Sequence, residues 1–272
     1  MLKKMKGRSL VLKMFLGLSM LMPVTGMGDD IKPRAVISII IDDIGYRVEE
    51  GRQMISLPAD LTYAVLPNAP QAKQLARLAH KHGKEVMLHM PMQSTLGGSP
   101  EQGVLDVDME ERHVVTALQE AFAKVPHAIG MNNHQGSLLT RHPGHMTWVM
   151  KEMKRQNYFF VDSRTSSQSV AEAIAFEQGV GAIRRDVFLD HVIDEASIKS
   201  EFNRLVQLAQ KRGHAVGIGH PHPETLAVLQ DMLPMLDDLN IQLVPISQQI
   251  NAQKVLVFNT KSENKEAFRQ HH

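Results

Sequence analysis

The sequence predicts an irregular (β/α) barrel of seven to eight mostly parallel strands, folded as a single domain. Short apolar runs alternate with amphipathic stretches along most of the chain, a pattern typical of a parallel sheet or a (β/α) barrel. Several runs are almost entirely apolar, as expected for strands that are covered on both faces. About 245 residues follow a separate N-terminal segment, close to the usual barrel size of roughly 250, and no Pro/Gly/Ser-rich linker divides them.

Eight apolar runs are predicted as strands, in the order 35–41, 61–66, 85–88, 128–131, 158–161, 180–183, 215–218 and 241–244. Between them, apolar residues at three- and four-residue spacing predict helices over 71–81, 108–124, 196–212 and 223–239. A further helix is expected to start at Pro143. The longest irregular insert covers residues 90–107. A loop of that length after a strand usually has a function.

The N-terminus has the three-part layout of a secretory signal peptide. Four basic residues within the first eight precede an apolar run at 14–24, and the small residues Thr25 and Gly26 offer a cleavage site. The run is too short to span a bilayer readily and contains Pro23, although a membrane anchor is the alternative interpretation. We therefore predict a signal peptide at 1–26, a short linker at 27–33, the barrel at 34–250 and a polar tail at 251–272. The mature chain is predicted to be exported to a bacterial periplasm, without a stable membrane span.

Composition excludes several classes of protein. The formal net charge is +1, so the chain has no basic excess with which to bind a nucleic-acid backbone, and aromatic residues make up only 5%. There is no cysteine, which excludes disulfide frameworks, cysteine-ligated metal sites and lipoproteins. The phosphate loop, the nucleophile elbow and the HExxH helix are also missing from the sequence, and Gly217-Ile218-Gly219 lacks the third glycine of a dinucleotide fingerprint.

Polar side chains of the kinds used in catalysis and metal binding follow most of the predicted strands. In a parallel α/β fold, ligands bind beyond the carboxyl ends of the strands. The residues found there are Asp42-Asp43, His89, Asn132-Asn133-His134, Asp162-Ser163-Arg164, Arg184-Arg185-Asp186 with Asp190-His191, and His220-Pro221-His222. Each segment alone has an ordinary structural interpretation as a turn, a helix cap or a hydrogen-bonded histidine. Together they favour a metal site, because imidazole and carboxylate are the ligands that zinc and similar ions prefer.

These segments resemble, in order, the motifs of the divergent polysaccharide deacetylases, a branch of the NodB-like deacetylase superfamily. The quoted segments are Ile39-Ile40-Ile41-Asp42-Asp43-Ile44-Gly45, Leu88-His89-Met90-Pro91-Met92, Asn132-Asn133-His134-Gln135-Gly136-Ser137, Asp162-Ser163-Arg164 and Gly219-His220-Pro221-His222-Pro223. The resemblance covers roughly residues 34 to 250. It implies a (β/α) barrel that holds one divalent metal ion, with zinc as the expected metal. It also implies a hydrolase that removes acyl groups from N-acetylated sugars of a cell-envelope or other polymer, by attack of metal-bound water.

The resemblance also implies roles for individual residues. Asp43 matches the metal-binding carboxylate. The family's H-x-x-x-H segment is missing here, so His89 and His134, which come from two different strands, are assigned as the other two metal ligands.

The catalytic residues follow in the same way. Asp42 matches the general base, and His220 or His222 matches the general acid. Arg164 is expected to orient a catalytic aspartate. Additional site residues are expected at Asp162, Asn133 and Ser137.

Two other functions stay open at this point. One is a catalytically silent glycan-binding or envelope-assembly protein on the same barrel, which the missing paired-histidine motif favours. The other is a metal-dependent glycosidase or phosphoesterase. Because adjacent strand residues alternate in direction, Asp42 and Asp43 are expected to point to different sides, so a glycosidase would pair Asp42 with Asp162 or Asp190.

Overall fold

The computed structural model describes residues 34–97 and 103–253. They form a single α/β domain built on a curled, wholly parallel sheet, which confirms the predicted fold class. The predicted signal peptide, the linker and the tail beyond residue 253 lie outside the described residues. In the part of the chain that the structure describes, no helix combines the length and the apolar character needed to cross a membrane.

Strands and helices alternate along the chain. The strands are β1 (Ala35–Ile44), β2 (Thr62–Val65), β3 (Glu85–Met92), β4 (Ala128–Gln135), β5 (Phe159–Asp162), β6 (Ala182–Arg184), β7 (Val187–Phe188), β8 (His214–Gly219) and β9 (Ile241–Leu243). The helices are α1 (Val48–Ser56), α2 (Ala72–Lys81), α3 (Glu111–Lys124), α4 (Pro143–Arg155), α5 (Ala171–Gln178), α6 (Glu195–Arg212), α7 (Pro223–Met232) and α8, which is described over 246–253. Two 3₁₀ turns, Leu139–Arg141 and Leu233–Leu236, complete the described elements.

The sheet has the strand order β6-β5-β4-β3-β2-β1-β8-β7, and β9 pairs with the first residues of β1. The short segment between β6 and β7 links the two ends of this order. Arg185 donates its backbone N–H to the carbonyl of Asp162 in β5, and Asp186 donates to the carbonyl of Val216 in β8, both at 2.9 Å. These two backbone hydrogen bonds therefore take the place of a regular pairing between the two ends of the sheet, which makes the barrel irregular.

The sheet is buried on both faces. Its outer face packs against the helices in the larger apolar core, whereas its inner face forms a smaller core that includes Ile40, Met87, Val161 and Ile218. Ile246 and Ile250 of α8 belong to the smaller core, so this helix fills one end of the barrel. Successive residues of a strand point to opposite faces of the sheet. A residue two positions after an inner-core residue of its strand therefore points to the inner face as well.

The main departures from the predicted elements occur at the carboxyl ends of the strands. β3 and β4 each continue four residues beyond their predicted ends, to Met92 and Gln135, because residues 89–92 still pair with residues 132–135. α1, α5, α8 and the two-residue β7 were not predicted, and α8 continues into the predicted tail over residues 251–253. The predicted helix over 223–239 ends early and is followed by a 3₁₀ turn containing Pro234, which cannot donate a backbone hydrogen bond.

Candidate active site

The inner face of the sheet carries a polar cluster directly beyond its apolar core. Asp42, His89, Arg185 and His220 each lie two residues after an inner-core residue of their own strand or segment. They line one cavity of about 410 Å³ at the carboxyl ends of the strands. The alternation of a strand therefore brings together side chains that are far apart in the sequence.

Asp43 faces the same cluster as Asp42, which corrects the expectation that the two carboxylates point to different sides. Between Ile41 and Ile44, β1 carries one residue more than its partner strand β2, which is a β-bulge. Asp43 adopts a left-handed backbone conformation with φ of 56°. As a result, His89 Nε2 lies 3.6 Å from Asp42 Oδ2 and 3.2 Å from Asp43 Oδ1.

Gly45 makes the sharp turn after this bulge possible. Its φ is +133°, and a Cβ atom added there would lie 2.4 Å from the Cβ of Ala69. Since only glycine accepts both constraints, the glycine of the Asp42-Asp43-Ile44-Gly45 segment serves to place the carboxylates rather than to do chemistry.

The three residues predicted as metal ligands come together. His134 Nδ1 lies 3.1 Å from Asp43 Oδ1 and 3.0 Å from His89 Nε2. Asp43 Oδ1 is buried, yet no donor among the described residues reaches it in good hydrogen-bond geometry. Ligands of a four-coordinate zinc ion, at metal–ligand distances near 2.0–2.1 Å, lie about 3.3 Å from one another. The separations and the donor set of one carboxylate and two imidazoles therefore fit a divalent ion.

Asn132 connects the metal-ligand cluster to Asp42, a contact that the motif analysis did not assign. Its Oδ1 lies 2.7 Å from His89 Nδ1, and its Nδ2 donates to Asp42 Oδ1 at 2.8 Å. Since an amide oxygen only accepts, His89 carries a proton on Nδ1 and presents Nε2 to Asp43 and His134. The alternation of β4, in which Asn132 and His134 share one face, is the signal that would have identified it.

A second aspartate–histidine pair lies beside this cluster. His220 Nδ1 lies 2.9 Å from Asp190 Oδ1, while Asp190 Oδ2 accepts from the backbone N–H of His220 and from the Thr225 hydroxyl. His220 Nε2 lies 3.9 Å from Asp43 Oδ2. His222 does not line the cavity, so His220 is the histidine of the pair that faces the site.

The electrostatics of the cluster follow from burial and from neighbouring charges. Burial would lower the pKa of His220, but the hydrogen bond and charge of Asp190, with the charges of Asp42 and Asp43, raise it to about 9. Burial raises the pKa of Asp42, against the opposing charges of His89 and His220. For Asp43, burial is outweighed by the neighbouring His134 and His89, which hold its pKa well below the usual range.

The remaining predicted site residues have structural contacts. Asp162 accepts from the Arg164 backbone N–H at 2.8 Å and from the Ser169 hydroxyl at 2.7 Å, which fastens the loop after β5. Asn133 accepts from the Ser163 backbone N–H and thus ties β4 to β5. Ser137 contacts the hydroxyls of Ser94 and Thr95 in the loop after β3. Of these three predicted residues, Asn133 lines the cavity, whereas Asp162 and Ser137 do not.

Arg164 does not approach Asp42. Its guanidinium donates to the backbone carbonyls of Ser169 and Ser167, at 3.2 and 3.1 Å, although the residue lines the cavity. Arg185, which was not assigned to the site, interacts electrostatically with Asp42. Its position two residues after Ile183 of the inner core would have indicated it.

A larger cavity of about 540 Å³ lies at the other end of the strands. It is lined mainly by apolar residues of the loop before β2, of α7 and of β9, and its lining contains no histidine. The volume alone would favour this cavity, but the convergence of titratable groups places the candidate chemistry in the smaller one.

Comparisons with known proteins identify the family of the chain. A family model described as divergent polysaccharide deacetylase matches residues 39–250. The chain is 38% identical over 219 residues to the uncharacterized protein YibQ of Escherichia coli (strain K12), covering 80% of this chain and 68% of YibQ.

Two solved structures are similar in fold. The uncharacterized protein ATU2773 from Agrobacterium tumefaciens C58 has a TM-score of 0.76 at 21% identity, over 79% of this chain and 89% of that one. The peptidoglycan deacetylase PdaC from Bacillus subtilis has a TM-score of 0.51 at 11% identity, over 84% of this chain and 97% of that one. At these identities, both show the likeness of the fold alone.

Proposed function

Because this chain belongs to the divergent polysaccharide deacetylase family, we propose that it is a metal-dependent hydrolase that removes N-acyl groups from an amino-sugar polymer of the cell envelope. One observation carries the proposal. The donor atoms of Asp43, His89 and His134 lie 3.0 to 3.2 Å from one another, beside Asp42 and near His220. We further propose, from the N-terminal sequence, that the mature chain acts after export to the periplasm.

Asp43 Oδ1, His89 Nε2 and His134 Nδ1 would hold the metal ion, and the mixed imidazole and carboxylate set suits zinc. When bound, a divalent ion supplies an electrophilic centre that polarises a carbonyl oxygen and makes a nearby water more acidic. Asn132 fixes the tautomer of His89, so that its Nε2 lone pair is available to the ion.

Asp42 is suited to act as the general base. Its Oδ1 is occupied by the Asn132 amide, which leaves Oδ2 to accept the proton of the attacking water. Burial raises the pKa of Asp42, which makes its carboxylate a stronger base than an exposed one. The oxygen of that water bonds to the acyl carbon.

His220 is suited to act as the general acid. Asp190 holds the proton on Nδ1 and raises the pKa of the ring, so Nε2 also carries a proton that it can donate. As the bond between the acyl carbon and the nitrogen breaks, this proton passes to the nitrogen, and the sugar leaves as a neutral amine. The products are a free carboxylic acid and a deacylated amino sugar.

The test is acetate release together with metal content. The purified chain is loaded with zinc, its metal stoichiometry is measured, and it is incubated with chitooligosaccharides and with peptidoglycan fragments. We expect acetate release that requires the metal. Asp42→Asn is the matched variant, because it should keep the zinc and lose the activity.

Other outcomes would support other functions. Glycan binding without zinc or acetate release would overturn the hydrolase and support a glycan-binding protein. A glycosidase is disfavoured by the two carboxylates considered as partners of Asp42. Asp162 is bound to Arg164 and Ser169, and Asp190 is bound to His220 and Thr225, so neither is left to act.

A further inference from the structure

Arg185 and Arg164 both line the cavity, and neither forms an ion pair with a carboxylate of the described residues within 4 Å. Arg185 is half-buried on the segment between β6 and β7. Its Nε donates to the carbonyl of Ser163 at 2.7 Å, and its Nη2 donates to the carbonyl of Arg164 at 3.1 Å. Other arginines form ion pairs, namely Arg34–Asp237, Arg155–Glu152, Arg184–Glu172, Arg204–Glu201 and Arg212–Asp186.

The two backbone contacts leave part of the guanidinium unused. A guanidinium has five N–H groups in a planar fork that matches the two oxygens of a carboxylate. Two of the five are directed to the carbonyls of Ser163 and Arg164, which fix the plane of the group. The ring of Phe188 supports that plane, with the Arg185 Cζ 5.1 Å from the ring centroid. The group is therefore held in place before any ligand arrives.

Charge is distributed unevenly around the cavity. The carboxylates Asp42 and Asp43 lie at the end of β1, beside the imidazoles of β3 and β4. Arg185 and Arg164 line the part of the cavity built by β5, β6 and the segment after it. A substrate with its acyl group at the metal-ligand cluster would thus place another part of itself beside two guanidinium groups.

Resting on the proposed function, we propose that Arg185 binds a carboxylate carried by the substrate, so that the site prefers anionic N-acylated amino sugars over neutral ones. Phe188 sets how far this carboxylate lies from the scissile bond. The Phe188 ring centroid is 5.2 Å from that of His220 and 5.1 Å from the Arg185 guanidinium. The carboxylate therefore belongs to the sugar that loses its acyl group or to a directly adjacent sugar.

The experiment compares ligands that differ only in the carboxylate. The disaccharide of N-acetylglucosamine and N-acetylmuramic acid differs from chitobiose by one lactyl group, and its methyl ester removes the charge alone. A hyaluronan disaccharide instead carries its carboxylate on the neighbouring uronic acid. Dissociation constants are measured by calorimetry or by NMR titration with and without zinc, so binding is recorded independently of turnover.

We expect the wild-type chain to bind one of the two acids about 10 to 100 times more tightly than chitobiose, as for a hydrogen-bonded charge. The acid that is preferred shows which sugar carries the carboxylate. Arg185→Gln should abolish the preference, because it should weaken binding of the acid far more than binding of chitobiose. Arg184→Gln is the matched control, because the neighbouring arginine is exposed and pairs with Glu172.

Equal binding of acid and methyl ester by the wild-type chain would overturn the proposal, and so would equal weakening of acid and neutral ligand in Arg185→Gln. The latter result would mean that Arg185 serves only to hold the Ser163–Arg164 turn. If Arg185→Gln does not fold, the wild-type comparison of acid with ester decides alone. Acetate release without a preference for acids would refute this inference only, whereas Arg185-dependent binding without any acetate release would refute only the hydrolase.

Discussion

Two aspartate–histidine groups face the same cavity, and their surroundings differ. In the cluster of Asp43, His89 and His134, one buried carboxylate oxygen has no hydrogen-bond partner of good geometry within the described chain. In the pair of Asp190 and His220, both carboxylate oxygens accept hydrogen bonds. The first group therefore has a carboxylate oxygen left for a metal ion, whereas both oxygens of Asp190 are already hydrogen-bonded.

The partner of the histidine Nδ1 atom decides the difference. His89 Nδ1 meets the neutral amide of Asn132, which selects a tautomer without adding a negative charge. His220 Nδ1 meets the buried carboxylate of Asp190, which stabilises a ring that carries both protons. Under the proposed function, the same residue types would serve as a metal ligand in one place and as a proton donor in the other, and replacing each partner tests this distinction.

The largest effect is expected from Asp43→Asn. An amide in place of the carboxylate removes the negative charge that the ion would share with two imidazoles. Because loss of a supporting residue alone usually costs 10- to 100-fold in metal affinity, we expect a loss of more than about 100-fold here. Zinc affinity is measured by competition with a chelating dye, and acetate release should disappear with it. Full zinc occupancy in this variant would contradict the assignment of Asp43 as a ligand.

His220→Gln should separate catalysis from metal binding. The variant keeps a polar side chain but cannot carry a transferable proton, so we expect kcat to fall by about 10² to 10⁴. Zinc content should stay at the wild-type level, because His220 Nε2 lies 3.9 Å from Asp43 Oδ2 and is not among the three clustered donors. His222→Gln provides the control, since that side chain lies outside the cavity lining. Equal losses in both variants would contradict the assignment.

Asp190→Asn should move the pH profile as well as lower the rate. The pKa of His220 is raised to about 9 mainly by Asp190, against the effect of burial. His220 therefore holds its proton at neutral pH and loses it as the pH rises past that value. Without the charge of Asp190 the pKa falls, so the alkaline limb of kcat should shift to lower pH. An unchanged limb, measured on the zinc-loaded variant, would show that His220 is not the group that titrates.

The fold and the three clustered donors could be predicted from the sequence, because apolar runs indicate the strands and the polar residues that follow them indicate the site. It could not reveal the bulge that turns Asp43 toward Asp42, because the register of β1 against β2 and a positive φ at Asp43 are tertiary features. It also assigned the arginine role to Arg164, although the loop carbonyls of Ser167 and Ser169 hold that side chain. The position of Arg185 in the cavity lining depends on the short segment that links the ends of the sheet.

Asn132→Ala should have a smaller effect on the metal-ligand cluster than Asp43→Asn. The variant leaves the three donors in place but removes the amide that orients His89 and contacts Asp42. We expect zinc affinity to fall by about 10- to 100-fold, with a further loss of kcat at saturating zinc, because Asp42 loses its positioning contact as well. Titration of zinc at fixed substrate separates the two losses. Unchanged zinc affinity would mean that the tautomer of His89 is set without Asn132.

The smallest effect is expected from Glu85→Gln, which shows what burial does to a carboxylate without a histidine partner. Glu85 lies at the opposite end of β3 from His89, and its Oε1 accepts from the Thr62 hydroxyl and from the Ser247 backbone N–H at the start of α8. Burial raises the pKa of Glu85 despite these hydrogen bonds. Its contribution to stability is therefore present at acid pH and is lost as the pH rises through the raised pKa.

The Oε1 atom of a glutamine can accept the same two bonds without a charge, so the variant should gain up to a few degrees in Tm at neutral pH. The gain should vanish near pH 4 in thermal unfolding curves recorded across the pH range. A gain that does not depend on pH would show that the charge of Glu85 is not its cause.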